Sequence, residues 1–261
     1  MKPVGMSAHK EAAFEDLIER HLVNHGWERG TPYSFDRELG IDFDELFAFI
    51  GATQQEAWDV LVERRGGMEL AQREFRKLVA KRIDESGTLH VLRRGLTDLG
   101  VDLRLAYFKP EHGLTPELVG GYQGNRCTVV RQLGYSEDDR DKTLDLALLV
   151  NGIPTATAEL KNPLTGQNVE HAKHQYRHDR DPSEPIFARR ALVHFAADPN
   201  LVFLATHLQG EDTVFVPFNQ GSAGPGEPGG AGNPPARDGR HATAYLWEDV
   251  WERDAWLELL H

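Results

Sequence analysis

Apolar residues first recur at helical spacing over residues 10–24, where Phe14, Leu17, Ile18 and Leu22 form a stripe with Glu15 and Glu19 beside it. His25-Gly26 supplies the stop signal. The spacing predicts further helices over 44–50, 54–63 and 70–83, the last with Phe75, Leu78, Val79 and Arg82 along one side. The opening hundred residues therefore read mainly as helix. Strand patterning begins at 103–108 and 128–133, where branched and aromatic residues concentrate and glycines and Pro110 punctuate the gap.

Residues 144–160, LDLALLVNGIPTATAEL, are two apolar runs joined by Asn151-Gly152, the strongest short hairpin signal. A helix is predicted over 168–180, strands over 190–196, 202–207 and 213–217, and a helix over 245–260 carrying Trp247, Trp251 and Trp256. Residues 220–240 are too rich in Gly and Pro for regular structure and read as an exposed loop. The pattern is α/β: a mixed central β-sheet flanked by helices, one domain over 1–261, with a helical elaboration or lobe over 43–96.

Composition narrows the function. The chain has 261 residues, 27% charged and 40% hydrophobic, enough to bury a core without disulfides. Its one cysteine, Cys127, fits a reducing, cytoplasmic setting. No run of about 18 apolar residues occurs and the amino-terminal stretch has no signal-peptide character, so neither membrane insertion nor secretion is expected. With 29 Lys and Arg against 41 Asp and Glu, the net charge is −12, the wrong sign for a protein that coats nucleic acid through a uniform basic surface. A metal-dependent nuclease is not excluded, because its site needs clustered carboxylates.

The hairpin brings Asp145, near the start of one strand, toward Glu159 and Lys161 at the end of the next. Two carboxylates and a lysine suit phosphodiester cleavage, with Asp145, Glu159 and the Leu160 carbonyl as ligands for Mg²⁺ and Lys161 orienting water or neutralising charge. An isolated Glu-x-Lys arises by chance about once in a few hundred residues, and a surface ion pair is the plain alternative. His171, His174 and His178 share a helical face that suits either a metal site or a solvated, phosphate-facing surface. With Lys173, Arg177, Arg180, Arg189 and Arg190 they make the region after the hairpin locally basic, the best place in an acidic chain for a DNA backbone.

The segment DLALLVNGIPTATAELKNP resembles the PD-(D/E)XK nuclease motif in the restriction (R, motor) subunits of type I restriction-modification enzymes. LRRGLTDLGVDLRLAYFKP, QYRHDRDPSEPIF, RRALVHFAADPNLVFLATHL and TAYLWEDVWERDAWLELL extend the resemblance over most of the chain from Val91 onward. It implies a restriction-endonuclease-like core whose catalytic residues are Asp145, Glu159 and Lys161. It also implies a glutamate from the first helix at the metal, for which Glu15 is the choice over Glu19. The family's Q-x-x-x-Y element is matched only by Gln175, because Asp179 stands where its Tyr would be and Tyr176 follows the Gln directly.

The resemblance implies double-stranded DNA as substrate, with motor domains and modification and specificity subunits as partners. The alternative is a noncatalytic docking or assembly module. There is no G-x-x-x-x-G-K-[ST] phosphate loop, so ATP belongs to the full-length enzyme and no ATP site is expected here. The chain is expected to be a fragment, with the helix after Tyr245 leading toward a motor and Trp247, Trp251, Trp256 and Leu257 either facing it or packed on their own domain.

Overall fold

The structure is a computed structural model that describes residues 4–163, 166–221, 232–234 and 239–261, with side chains from residue 13 onward. The chain opens with α1 (Val4–Asn24), followed by the short strands β1 (Glu28–Arg29), β2 (Phe35–Asp36) and β3 (Ile41–Asp42). Then come α2 (Phe43–Arg65), α3 (Met68–Ser86), α4 (Thr88–Arg94), β4 (Leu96–Asp98), β5 (Val101–Leu103) and α5 (Pro116–Gln123). The sheet-forming half follows as β6 (Cys127–Gly134), β7 (Thr143–Val150), β8 (Ile153–Leu160), α6 (Val169–His174), β9 (Val193–Ala197), β10 (Val202–Ala205), β11 (Val216–Pro217) and α7 (Arg253–Leu260).

Seven strands form one mixed sheet in the order β1-β6-β7-β8-β9-β10-β11. The β1–β6 and β8–β9 pairs are parallel and the other four antiparallel. The β7–β8 hairpin lies at its centre, which is why both strands read as nearly continuous apolar runs. Asn151 and Gly152 have φ of 51° and 81°, the left-handed backbone a type I′ turn needs. The turn is also tied down by its side chain: Asn151 Oδ1 accepts the Arg126 N–H at 2.7 Å, and Nδ2 donates to the Leu105 carbonyl at 2.9 Å.

On one face the buried residues of α1, α2, α3, α7 and the tryptophans share a single core with Val129, Leu146, Leu148 and Ala158 of the sheet. The helices over 43–96 are thus cemented to the sheet through common apolar contacts. On the other face Val130, Ala147 and Leu149 pack with Tyr135, Tyr176 and Phe187. Asp42 caps α2, its Oδ1 accepting the N–H groups of Asp44 and Glu45 at 3.1 and 3.2 Å. That helix joins the two separately predicted helices across a kink at Gln54, where φ is −145°.

Several expectations change. Leu17 is 37% exposed while Glu15 and Glu19 are each 5% exposed, because α1 turns its acidic flank toward Arg131 of β6. The strand predicted over 103–108 is only β5, paired with β4 in a separate ribbon, since the side chains of Gln54 and Asn125 take up the polar backbone groups of Arg104 and Tyr107. The strand expected over 190–196 begins only at Val193, because Arg190 ends a wide π-type turn, Ile186–Arg190, and the helix after Asn168 likewise widens at Gln175–Asp179. The predicted 245–260 helix is a π-type turn, Leu246–Val250, followed by α7. Its Trp247, Trp251, Trp256 and Leu257 are all buried in their own domain, with the Trp27 indole donating to the Trp251 carbonyl at 2.8 Å, so none faces outward. Much of the 220–240 loop lies outside the described residues; within it Asn233 accepts the Gln220 N–H at 2.7 Å.

Candidate active site

Asp145 lies near the start of β7 and Glu159 near the end of β8, where the pairing of Leu146 with Ala158 brings the two strands together beside them. Asp145 Oδ2 accepts the backbone N–H of Leu160 at 2.8 Å and lies 3.4 Å from Lys161 Nζ. Lys161 is positioned in turn by its own N–H, which donates to the Ala197 carbonyl of β9 at 2.9 Å. The parallel β8–β9 pairing thus holds the lysine, and the antiparallel β7–β8 pairing holds the aspartate against it.

Glu159 is fully buried. Arg180, just beyond the π-type turn, donates to its Oε1 from Nε at 2.8 Å and from Nη2 at 2.6 Å, and also to the Thr143 carbonyl at 2.8 Å. Glu159 Oε2 is buried with no hydrogen-bond partner among the described residues. Burial pushes the Glu159 carboxyl well above the usual carboxylate range and Asp145 pushes it further, against the opposing charges of Arg180 and Lys161. Although burial works against the guanidinium, Glu159 holds Arg180 firmly charged.

From α1, Glu15 reaches the same place. Gln132 Nε2 donates to both its oxygens at 3.2 Å and stands 3.5 Å from Asp145 Oδ1, bridging the two carboxylates. Arg131 adds a 3.3 Å contact to Glu15 and a 3.5 Å contact to Glu19. Burial, then Asp145, raises the Glu15 carboxyl. Gln132 sits at φ 49°, a left-handed break in β6 opposite Asp145. Sequence reasoning passed over Gln132, whose only signal was a long polar side chain across the sheet from Asp145.

The remaining expected residues fare differently. Gln175 makes no hydrogen bond to this cluster, and its Oε1 is buried without a partner. Tyr176 is a core residue whose hydroxyl pairs with Thr157 Oγ1 at 2.8 Å, and Thr157 pairs with His194 Nδ1 at 2.8 Å. Arg180 does not project toward solvent as a DNA contact would; Glu159 holds it inside. Lys173 lies over the Phe203 ring at 4.2 Å and bonds Glu170 at 2.7 Å, while Arg177 donates to the Thr213 carbonyl at 2.9 and 3.2 Å. Both are engaged by their own chain rather than displayed as a phosphate-binding row. His171 caps α6, and the rings of His174 and His178 lie 4.1 Å apart.

No group of three His, Cys, Asp or Glu side chains stands assembled for a metal among the described residues. The donors present are the carboxylates of Asp145 and Glu159, oxygen ligands of the kind taken by a hard cation that retains several waters, as Mg²⁺ does. Glu159 Oε2, buried and unpartnered beside a second carboxylate, is the atom such a cation would satisfy. No helix among the described residues is long and apolar enough to cross a membrane.

Comparison with curated proteins found no match. Comparison with family models matched residues 9–218 to the type I restriction enzyme R protein N terminus. That span takes in α1 from its second turn, the whole hairpin, Arg180 and the sheet out to β11. With four-fifths of its length matched and a seven-stranded mixed sheet carrying the hairpin at its centre, this chain belongs to the family of type I restriction enzyme R protein N-terminal domains.

Proposed function

We propose that the chain is the Mg²⁺-dependent endonuclease domain of an R subunit, hydrolysing DNA phosphodiester bonds after ATP-driven translocation by the full complex. The observation that carries this reading is Glu159: a fully buried carboxylate, one oxygen without a partner, beside Asp145 and Lys161 at the open end of a hairpin. Asp145, Glu159 and the Leu160 carbonyl, with Glu15 behind Gln132, would hold Mg²⁺, which when bound supplies charge against the phosphate oxygens and acidifies a water.

The chain's own residues then have distinct tasks. Asp145, fixed by the Leu160 N–H, keeps its carboxylate turned toward the site. Lys161 places an ammonium where negative charge grows on the phosphate as the attacking oxygen closes and the 3′ oxygen leaves. Gln132 sets the spacing between Glu15 and Asp145, and Gln175 is a candidate to position DNA or Lys161. Double-stranded DNA is the substrate in this reading, and the motor domains, modification subunit and specificity subunit are the partners.

Plasmid cleavage by the complete complex with Mg²⁺ and ATP tests it, with ATP turnover followed in parallel. Asp145→Ala, Glu159→Ala and Lys161→Ala are each expected to reduce cutting at least about a hundredfold while ATP hydrolysis persists. Cutting at the wild-type rate by all three would overturn the assignment. One observation favours a second reading, a noncatalytic assembly module: Arg180 already neutralises Glu159. Full cleavage by the complex carrying Glu159→Gln would favour that reading.

A further inference from the structure

A cleft of about 1100 Å³ lies apart from the carboxylate cluster. Its walls are the kink of α2, the end of α3, α4 and the β4–β5 ribbon, and it is adjoined by a smaller hollow of about 420 Å³ that shares Arg93, Arg94, Arg104 and Tyr107 with it. The two together are lined by Arg82, Arg93, Arg94, Arg104 and Lys109. Against these five cations stand only Glu56 and Asp102. In a chain of net charge −12 such a concentration of positive charge is not a sample of the average surface.

Most of these cations are not consumed by the fold. Arg94 and Lys109 make no hydrogen bond or ion pair among the described residues, and neither does His90 on the same wall. Among the described residues Arg104 has no carboxylate partner, and its guanidinium lies over Tyr107 at 5.5 Å. Arg93 donates to the Leu260 carbonyl at 2.8 Å. Arg82 alone is ion-paired, with Glu85 at 3.3 Å. The backbone beneath is nevertheless rigidly set, because Gln54 at the α2 kink accepts the Arg104 N–H at 2.7 Å and donates to its carbonyl at 3.0 Å. Exposed guanidinium forks on a fixed scaffold match the oxygens of phosphate esters, which they bind in bidentate fashion.

The cleft also has a defined place relative to the cluster. Leu105, next to Arg104, is bonded to Asn151 at the hairpin turn, and Asp145 lies six residues away along β7. Asp145 and the hairpin turn to which the Leu105 carbonyl is bonded are therefore roughly 20 Å apart at a strand rise of about 3.4 Å per residue, which sets the cleft wall toward the turn end of β7 and the cluster toward the other. We propose that this arginine cleft is a second phosphate-binding site that grips the DNA backbone away from the point of cleavage. The proposal deepens the nuclease reading by naming where the substrate is held, and it rests on that reading only for the identity of the polymer.

Binding of a fluorescent 30-base-pair duplex to the full chain at low salt tests it, by anisotropy. Arg94→Gln with Arg104→Gln is expected to weaken binding about tenfold or more and to reduce the slope of log affinity against log salt by about two. Arg73→Gln with Lys77→Gln, an equal charge change on the exposed side of α3, is expected to leave affinity within about twofold. Equal loss in the α3 variant, unchanged binding in the cleft variant, or no saturable binding by the wild type would each overturn the proposal. Displacement of the duplex by ATP alone at micromolar concentration would overturn it in favour of a nucleotide site. Because the cleft variants are read here by binding and the site variants above by cutting with ATP turnover, failure of the catalytic assignment and failure of the cleft give different patterns.

Discussion

Arg180 directs two hydrogen bonds at one oxygen of Glu159, at 2.8 and 2.6 Å, and leaves the other oxygen of that buried carboxylate unpartnered. The pair joins the segment after the hairpin to the end of β8, so the candidate site and the fold share an interaction. Removing one partner strands the other charge in the interior. Arg180→Met is expected to lower stability by about 3–5 kcal/mol, and adding Glu159→Gln, also made alone, to recover most of that loss. Urea denaturation of the four proteins of the cycle measures both, and additive losses would show that the pair contributes no coupling.

Gln132 separates Glu15 from Asp145. Gln132→Glu would place a third carboxylate between two that already repel, and is expected to cost about 1–3 kcal/mol in chelator. If the cluster takes a divalent cation, added Mg²⁺ raises the melting temperature of this variant more than that of the wild type. Equal melting temperatures of variant and wild type in chelator would show that Gln132 does not buffer the two acids.

His194 is buried against Thr157, and burial, with a smaller contribution from His207, pulls its pKa down to about 3. The folded chain therefore refuses a proton that the unfolded chain accepts near pH 6.5. Stability attached to this group is intact above pH 6.5 and is lost as pH falls, by about 1.4 kcal/mol per unit between about 6.5 and 3. His194→Gln is expected to flatten the dependence between pH 6.5 and 5, above the range where carboxylates contribute most. Parallel pH profiles of the two proteins would refute the assignment.

The hairpin turn leaves no room for a side chain at its second position. A Cβ at Gly152, where φ is 81°, would run into the Asp42 carbonyl oxygen. Gly152→Ala is expected to cost more than about 2 kcal/mol through strain and clash together. Asn151→Gly keeps the left-handed backbone but loses the bonds to Arg126, Leu105 and Asn125, so it too is expected to destabilise. Thermal melting of the two variants checks both, and a wild-type melting temperature for Asn151→Gly would mean the turn is held by backbone conformation alone.

The features legible in the linear chain are those written in local chemistry. Asn151-Gly152 dictates a tight turn, the apolar runs on either side dictate buried strands, and a hairpin of that length must carry Asp145 toward Glu159 and Lys161. Strand alternation and turn backbone depend on neighbours a few residues apart, so they survive in the linear string. Only the tertiary structure decided which charges meet. That Glu15 and Glu19 turn inward, that Arg180 faces Glu159 rather than solvent, and that Gln132 bridges two carboxylates follow from how α1 and the segment after α6 cross the sheet. The tryptophans near the end of the chain were equally ambiguous, since an apolar stripe shows that a helix face needs covering and not what covers it. The arginine cleft has the same origin: Arg82 and Arg104 come from distant stretches, and it takes the folded chain to concentrate their charges on one surface.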